Sequence, residues 1–139
     1  TVREIMEHIR RIGGDIQGFT ISGGEPFYVP AELRGLVESL VKITDDIIIF
    51  TGYTLHELRS MEDNDVDYIL DNIGVLVDGP YIAELKCERG LRGSSNQHIY
   101  IFKNEDIYCD LNTCERSMQV VVSGDRILTI GIPSVDDND

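Results

Sequence analysis

The stretch Asp46-Ile47-Ile48-Ile49-Phe50-Thr51-Gly52-Tyr53 decides the fold class. Its three consecutive isoleucines do not alternate with polar residues, which is the pattern of a strand covered on both faces, as in parallel sheets. The same grammar recurs on either side. Phe19-Thr20-Ile21-Ser22 runs into Gly23-Gly24-Glu25-Pro26, and Val75-Leu76-Val77 runs into Asp78-Gly79-Pro80-Tyr81. Parallel strands put all three glycine loops at one edge, where α/β folds bind ligands. A fourth polar segment, Leu91-Arg92-Gly93-Ser94-Ser95-Asn96-Gln97, follows.

The intervening segments are helical. Val2, Ile5, Met6, Ile9 and Ile12 share one helical face, and Thr1 with Glu4 fits a capping box stopped by Gly13-Gly14. Pro30 suits the first position of a second helix, with Leu33, Leu36, Val37, Leu40 and Val41 apolar. Thr54 and Glu57 predict another capping box opening a helix through Leu58, and a further helix is expected over 66–72. Residues 82–86 read as a helical turn or two, and 98–102 as a strand. A hairpin is expected from Met118–Val122 and Ile127–Ile132 around Ser123-Gly124-Asp125. The first helix has no strand before it, so one sheet edge would be bare. The chain starts at Thr1, and the expectation is that the first strand lies upstream.

Bulk properties bound the partners. With 139 residues the chain can bury a core, and 42% hydrophobic residues is ordinary for a globular domain. Residues 1–135 read as one domain, and 136–139 as an acidic, disordered tail. A net charge of -13 argues against nucleic acid and against an anionic membrane surface. No apolar run nears the roughly 20 residues of a membrane span, and no secretory leader is visible. Three cysteines make no disulfide framework, and the expected location is cytoplasmic.

The Gly23-Gly24-Glu25 turn has two readings. It is either an ordinary tight turn or a cradle for a cation, since glycines let carbonyls approach an ammonium group and Glu25 adds an acceptor. No Lys follows the glycines, so a phosphate-binding loop is disfavoured. Tyr53 could pack over the sheet end, and Asp78-Gly79-Pro80 could be a plain turn. Arg92 could pair with Glu84 or Glu88, and the Ser/Asn loop could satisfy its own backbone. Cys109 and Cys114, with Asp110, Glu115 or His98, make at best a loose metal set; unligated thiols are the alternative.

The four segments Ser22–Pro26, Thr51–Tyr53 with Leu55-His56-Glu57-Leu58, Val75–Pro80 and Arg92–Gln97, in this order, resemble the radical S-adenosylmethionine superfamily. Within it the chain is most similar to the activating proteins of anaerobic ribonucleoside-triphosphate reductase. The resemblance implies a partial parallel (β/α) barrel lacking its first strand. It also implies a [4Fe–4S] cluster and S-adenosylmethionine, reductively cleaved to a 5′-deoxyadenosyl radical that takes hydrogen from a partner's glycine. The implied partners are a glycyl-radical enzyme, the large subunit of anaerobic ribonucleotide reductase, and a flavodoxin-type or similar reductant. Implied ligand-binding residues are Gly23, Gly24 and Glu25 at the methionine ammonium group, with Pro26 fixing the exit of their turn. Thr51, Gly52, Tyr53, Asp78 and Gly79 would line the ribose and methionine side. Arg92, Ser94, Asn96 and Gln97 would contact the ligand or shape the rim.

The family's Cys-x-x-x-Cys-x-x-Cys loop is absent from these residues. The expectation is that it lies upstream with the missing strand, and that residues 1–139 alone are inactive, with no catalytic or metal-ligating residue assigned. The alternatives are a radical enzyme acting on another protein or peptide, and a cluster-free scaffold or binding module.

Overall fold

The computed structural model describes residues 1–115 and, beyond them, the backbone of two strands at 119–123 and 126–130. In chain order the elements are helix α1 (Val2–Ile12), strand β1 (Phe19–Ile21), helix α2 (Pro30–Leu40) and strand β2 (Ile47–Phe50). Helices α3 (Leu55–Ser60) and α4 (Asn64–Asn72) and strands β3 (Val75–Asp78) and β4 (His98–Ile101) follow, then β5 (Gln119–Ser123) and β6 (Arg126–Ile130). The expected elements are present with their ends moved by a residue or two. The 82–86 segment is a single 3-10 turn, Ala83–Leu85. β5 and β6 pair antiparallel as the expected hairpin. The centre of its turn, residues 131–132 and the tail 136–139 lie outside the described residues.

The sheet runs β1-β2-β3-β4. The first three strands are parallel, with Ile48 opposite Thr20 on one side and Val75 on the other. β4 is antiparallel to β3, Val77 opposite Ile99. The α/β class and the mostly parallel sheet match the expectation; the sheet is open, and β4 makes it mixed. The difference lies in the connection from β3 to β4, which is long enough for a crossover but holds no helix beyond one 3-10 turn. A parallel return needs a crossover of a dozen or more residues, usually a helix. Here a single 3-10 turn is followed by the Gly/Ser/Asn loop, and the chain comes back beside β3 in the opposite direction.

Strand order that never reverses sends every crossover to one face of the sheet. Alternate strand residues separate two cores accordingly. Ile47, Ile49 and Leu76 join Met6 of α1, Val37 of α2, Leu58 of α3 and Ile69 of α4. Val75 and Val77, with Ile48, Phe50, Ile99 and Ile101, pack on Leu91, Tyr108 and Leu111 from the 86–114 segment. All four helices therefore cover one face, and the second face is roofed by irregular chain. Tyr108 fastens that roof by donating its hydroxyl to Asp46 Oδ1 at the base of β2. At Gly74 a Cβ would stand 2.9 Å from the Tyr108 hydroxyl, so glycine is required there. β1 is a sheet edge among the described residues.

Candidate functional site

Because β1, β2 and β3 are parallel, the loops that leave their carboxyl ends meet at one rim. After β1, Gly23 and Gly24 adopt φ of 89° and 60°. L side chains rarely take that conformation, so the turn demands glycine for its backbone angles. A Cβ at either position would meet nothing within 4 Å. The space beside the turn is open, and the backbone is the surface it presents.

Glu25 is extended and Pro26 opens the 3-10 turn Pro26–Tyr28. The Glu25 carboxylate accepts three hydrogen bonds. Oε1 takes Phe27 N at 3.0 Å and the Thr51 hydroxyl at 2.7 Å, and Oε2 takes Gly52 N at 2.8 Å. It brackets the end of β1 to the end of β2. A carboxylate offers about four acceptor positions, so little capacity is left for a ligand.

The bracket continues across the rim. Thr51, buried, accepts Tyr53 N at 3.2 Å on its hydroxyl. Tyr53 O accepts Gly79 N at 2.9 Å. Gly79, with φ of 90°, gives its carbonyl to Gln97 Nε2 at 2.8 Å. Gln97 Oε1 in turn accepts Gly93 N at 2.9 Å and Ser94 N at 3.2 Å. One chain of hydrogen bonds thus joins all four sequence segments.

Asp78 sits beneath this chain rather than on its surface. It is 1% exposed; Oδ2 accepts Leu55 N at 2.7 Å and Oδ1 accepts His98 N at 3.1 Å. The carboxylate ties the start of α3 to the start of β4, and His98 Nδ1 lies 3.4 Å away. Ser94 is fully buried and its hydroxyl accepts Ile82 N. Asn96 donates to Pro80 O at 2.7 Å, while its Oδ1 is buried without a hydrogen-bond partner. Arg92 Nη1 donates to Gln97 O at 3.2 Å. Ser94, Asn96 and Gln97 all hydrogen-bond to the loop after β3.

A cavity of about 250 Å³ opens at the rim, lined by Gly23, Gly24, Glu25, Thr51, Gly52 and Gly79, with Tyr81 and Gln97 across from them. Tyr81 is 58% exposed and was not among the expected site residues. It closes the Asp78-Gly79-Pro80-Tyr81 loop that the sequence places at this edge, but its position across the cavity depends on the loop's path in space. A groove of about 370 Å³ beside α1 shares Gly23 and Glu25 but is otherwise mostly apolar, with Val2, Ile5, Leu33 and Leu36 in its walls. The polar backbone groups that could orient a small ligand belong to the smaller cavity.

No group of three or more His, Cys, Asp or Glu side chains among the described residues could hold a metal ion. No disulfide joins Cys87, Cys109 or Cys114. A [4Fe–4S] cluster calls for cysteine thiolates gathered in one place, and these residues do not supply them. No described helix is long and apolar enough to cross a membrane.

The class these features define is an open α/β protein with helices on one face of its sheet and a glycine-lined, carboxylate-bracketed cavity at its parallel strand ends. Residues 1–100 match the model of the 4Fe-4S single cluster domain, and the chain belongs to that family. It is 33% identical over 105 residues to the anaerobic ribonucleoside-triphosphate reductase-activating protein of Enterobacteria phage T4, covering 72% of this chain and 62% of that relative. The protein of the same name from Vibrio cholerae is 39% identical over 93 residues, 62% of this chain and 56% of the relative. That from Escherichia coli is 34% identical over 90 residues, 60% of this chain and 55% of the relative. The chain thus spans little more than half the length of these relatives. No solved structure gives a significant match.

Proposed function

We propose that this chain supplies the S-adenosylmethionine-binding part of a radical activating enzyme that generates a glycyl radical on anaerobic ribonucleoside-triphosphate reductase. The observation that carries the reading is the Gly23-Gly24 turn. Its left-handed backbone lines the cavity, with open space where a Cβ would stand, and in this reading its carbonyls are the acceptors for an ammonium group. The relatives' name and the family match support the same assignment.

In this reading the carbonyls of the Gly23-Gly24 turn bind the methionine ammonium group. The Gly52 and Gly79 backbones line the opposite wall, and Glu25 orients the Thr51-Gly52 turn. S-adenosylmethionine supplies a sulfonium open to reductive cleavage. The chain's own residues bind it, orient it and limit water at the strand ends. Since Cys87, Cys109 and Cys114 form no ligand set, the [4Fe–4S] cluster is held in this reading by cysteines outside residues 1–139, and no step is derived through it. The partner surface belongs to the large subunit of the reductase.

Calorimetric titration of the native protein with S-adenosylmethionine tests the assignment, with Glu25→Ala as the comparison. Saturable binding weakened by the substitution is expected. Absence of binding by the cluster-loaded protein would overturn the S-adenosylmethionine reading.

A further inference from the structure

The turn after β3 does not close on itself. Ile82 N, which would close a four-residue turn on Gly79, is donated to Ser94 Oγ at 3.1 Å. Pro80 has no N–H to donate. The two carbonyls at the apex, Gly79 O and Pro80 O, accept from the side chains of Gln97 and Asn96. The conformation of residues 79–82 is therefore imposed by the 94–97 segment.

Gln97 is the most demanding member of that template. It is 7% exposed, and its amide has both ends in use: the oxygen takes two backbone N–H groups and the nitrogen reaches Gly79 O. Gly79 is held on its other side by Tyr53 O. Its φ of 90° excludes an ordinary residue, and its backbone is a wall of the cavity. Moving Gly79 changes that wall.

We propose that Gln97 is a positioning residue for the ligand cavity: its buried amide sets the place of the Gly79 peptide, and so the affinity for the bound ligand. The proposal rests on S-adenosylmethionine being that ligand. It distinguishes the amide from an apolar side chain and from an ionised carboxylate of similar size. Gln97→Leu removes both the donor and the acceptor. Gln97→Glu keeps the acceptor for Gly93 and Ser94, but its ionised carboxylate would face Gly79 O with no hydrogen to give. Only the protonated acid reproduces the amide's donor and acceptor arrangement.

The test measures the dissociation constant of S-adenosylmethionine for the native full-length protein and both variants between pH 8 and pH 6, with melting temperature and hydrogen exchange at residues 78–82. Gln97→Leu should weaken binding about tenfold and speed exchange at Gly79. Gln97→Glu should bind about as poorly at pH 8 and recover toward wild type at pH 6. The other ionisable groups around this amide are Arg92, Asp78, His98, Glu25 and Tyr81. They are common to both proteins, so the ratio of variant to wild-type affinity isolates residue 97. Gln97→Glu also keeps the test open if Gln97→Leu does not fold. Unchanged affinity in the variants overturns the proposal alone. A lower melting temperature with a pH-independent affinity ratio reduces Gln97 to a structural residue and also overturns it. Wild-type protein that does not bind S-adenosylmethionine overturns the functional reading, and the proposal with it.

Discussion

Two side chains carry more of this structure than their sequence neighbourhoods suggest. The expectation places Glu25 at a ligand's ammonium group, and within the protein its carboxylate accepts from Phe27, Thr51 and Gly52. Glu25→Ala should therefore lower stability by about 1–3 kcal/mol as well as weaken S-adenosylmethionine binding, because it leaves the Gly52 N–H and the Thr51 hydroxyl without their acceptor. Urea unfolding beside the titration separates the two effects; lost binding at full stability would point to direct ligand contact. The second side chain is Tyr108, whose ionisation is pushed upward by burial and by the Asp46 hydrogen bond. A folded value raised above the usual 10 or so means the stabilisation is complete below that pH and is lost as pH rises through it. Wild type should lose more stability between pH 8 and pH 10.5 than Tyr108→Phe does, as followed by denaturant midpoints; equal losses would remove Tyr108 from the alkaline response. The glycines and Glu25 were legible because turns and strand ends have local signatures. The partners of Glu25 were not, since Thr51 and Gly52 reach it only after the sheet assembles.

At the scale of elements, local chemistry read well. Both capping boxes are present: Thr1 with Glu4 on α1 and Thr54 with Glu57 on α3. The Thr54 N–H and hydroxyl hold the Glu57 carboxyl below the usual carboxylate range. A lowered folded value makes the cap's contribution present above about pH 4.3 and lost as pH falls through the folded value. The direction of β4 was not legible, because it depends on the route of residues 79–97 and not on the strand's composition. Asp78 joins the two kinds of information: it caps α3 through Leu55 N and anchors β4 through His98 N. Thr54→Ala removes one cap and should cost about 1 kcal/mol. Asp78→Asn should cost more, about 1–3 kcal/mol, since an amide has one acceptor oxygen where the buried carboxylate uses two, one for Leu55 N and one for His98 N. Thermal unfolding of the two variants decides the order, and a milder effect of Asp78→Asn would show that the carboxylate's second oxygen is dispensable.

The whole molecule sets a family assignment against a cysteine inventory. The match to the 4Fe-4S single cluster domain covers residues 1–100, and that span contains one cysteine, Cys87. Cys109 and Cys114 lie beyond it, on the irregular segment that roofs the second face of the sheet. Gly90 N bonds Cys114 O there, and Cys114 Sγ lies 3.8 Å from Leu111 O, so the backbone and weak sulfur contacts are those of loop packing. The matched span holds nearly all of the sheet and the cavity's lining, and its one cysteine is Cys87. Substituting Cys87, Cys109 and Cys114 together by serine in the native protein should accordingly leave its iron and acid-labile sulfide content unchanged. Thiol packing sets the only expected penalty, a modest fall in melting temperature. Iron content that drops with any one of the three substitutions would assign that cysteine to the cluster and bring the 86–114 segment into the metal site.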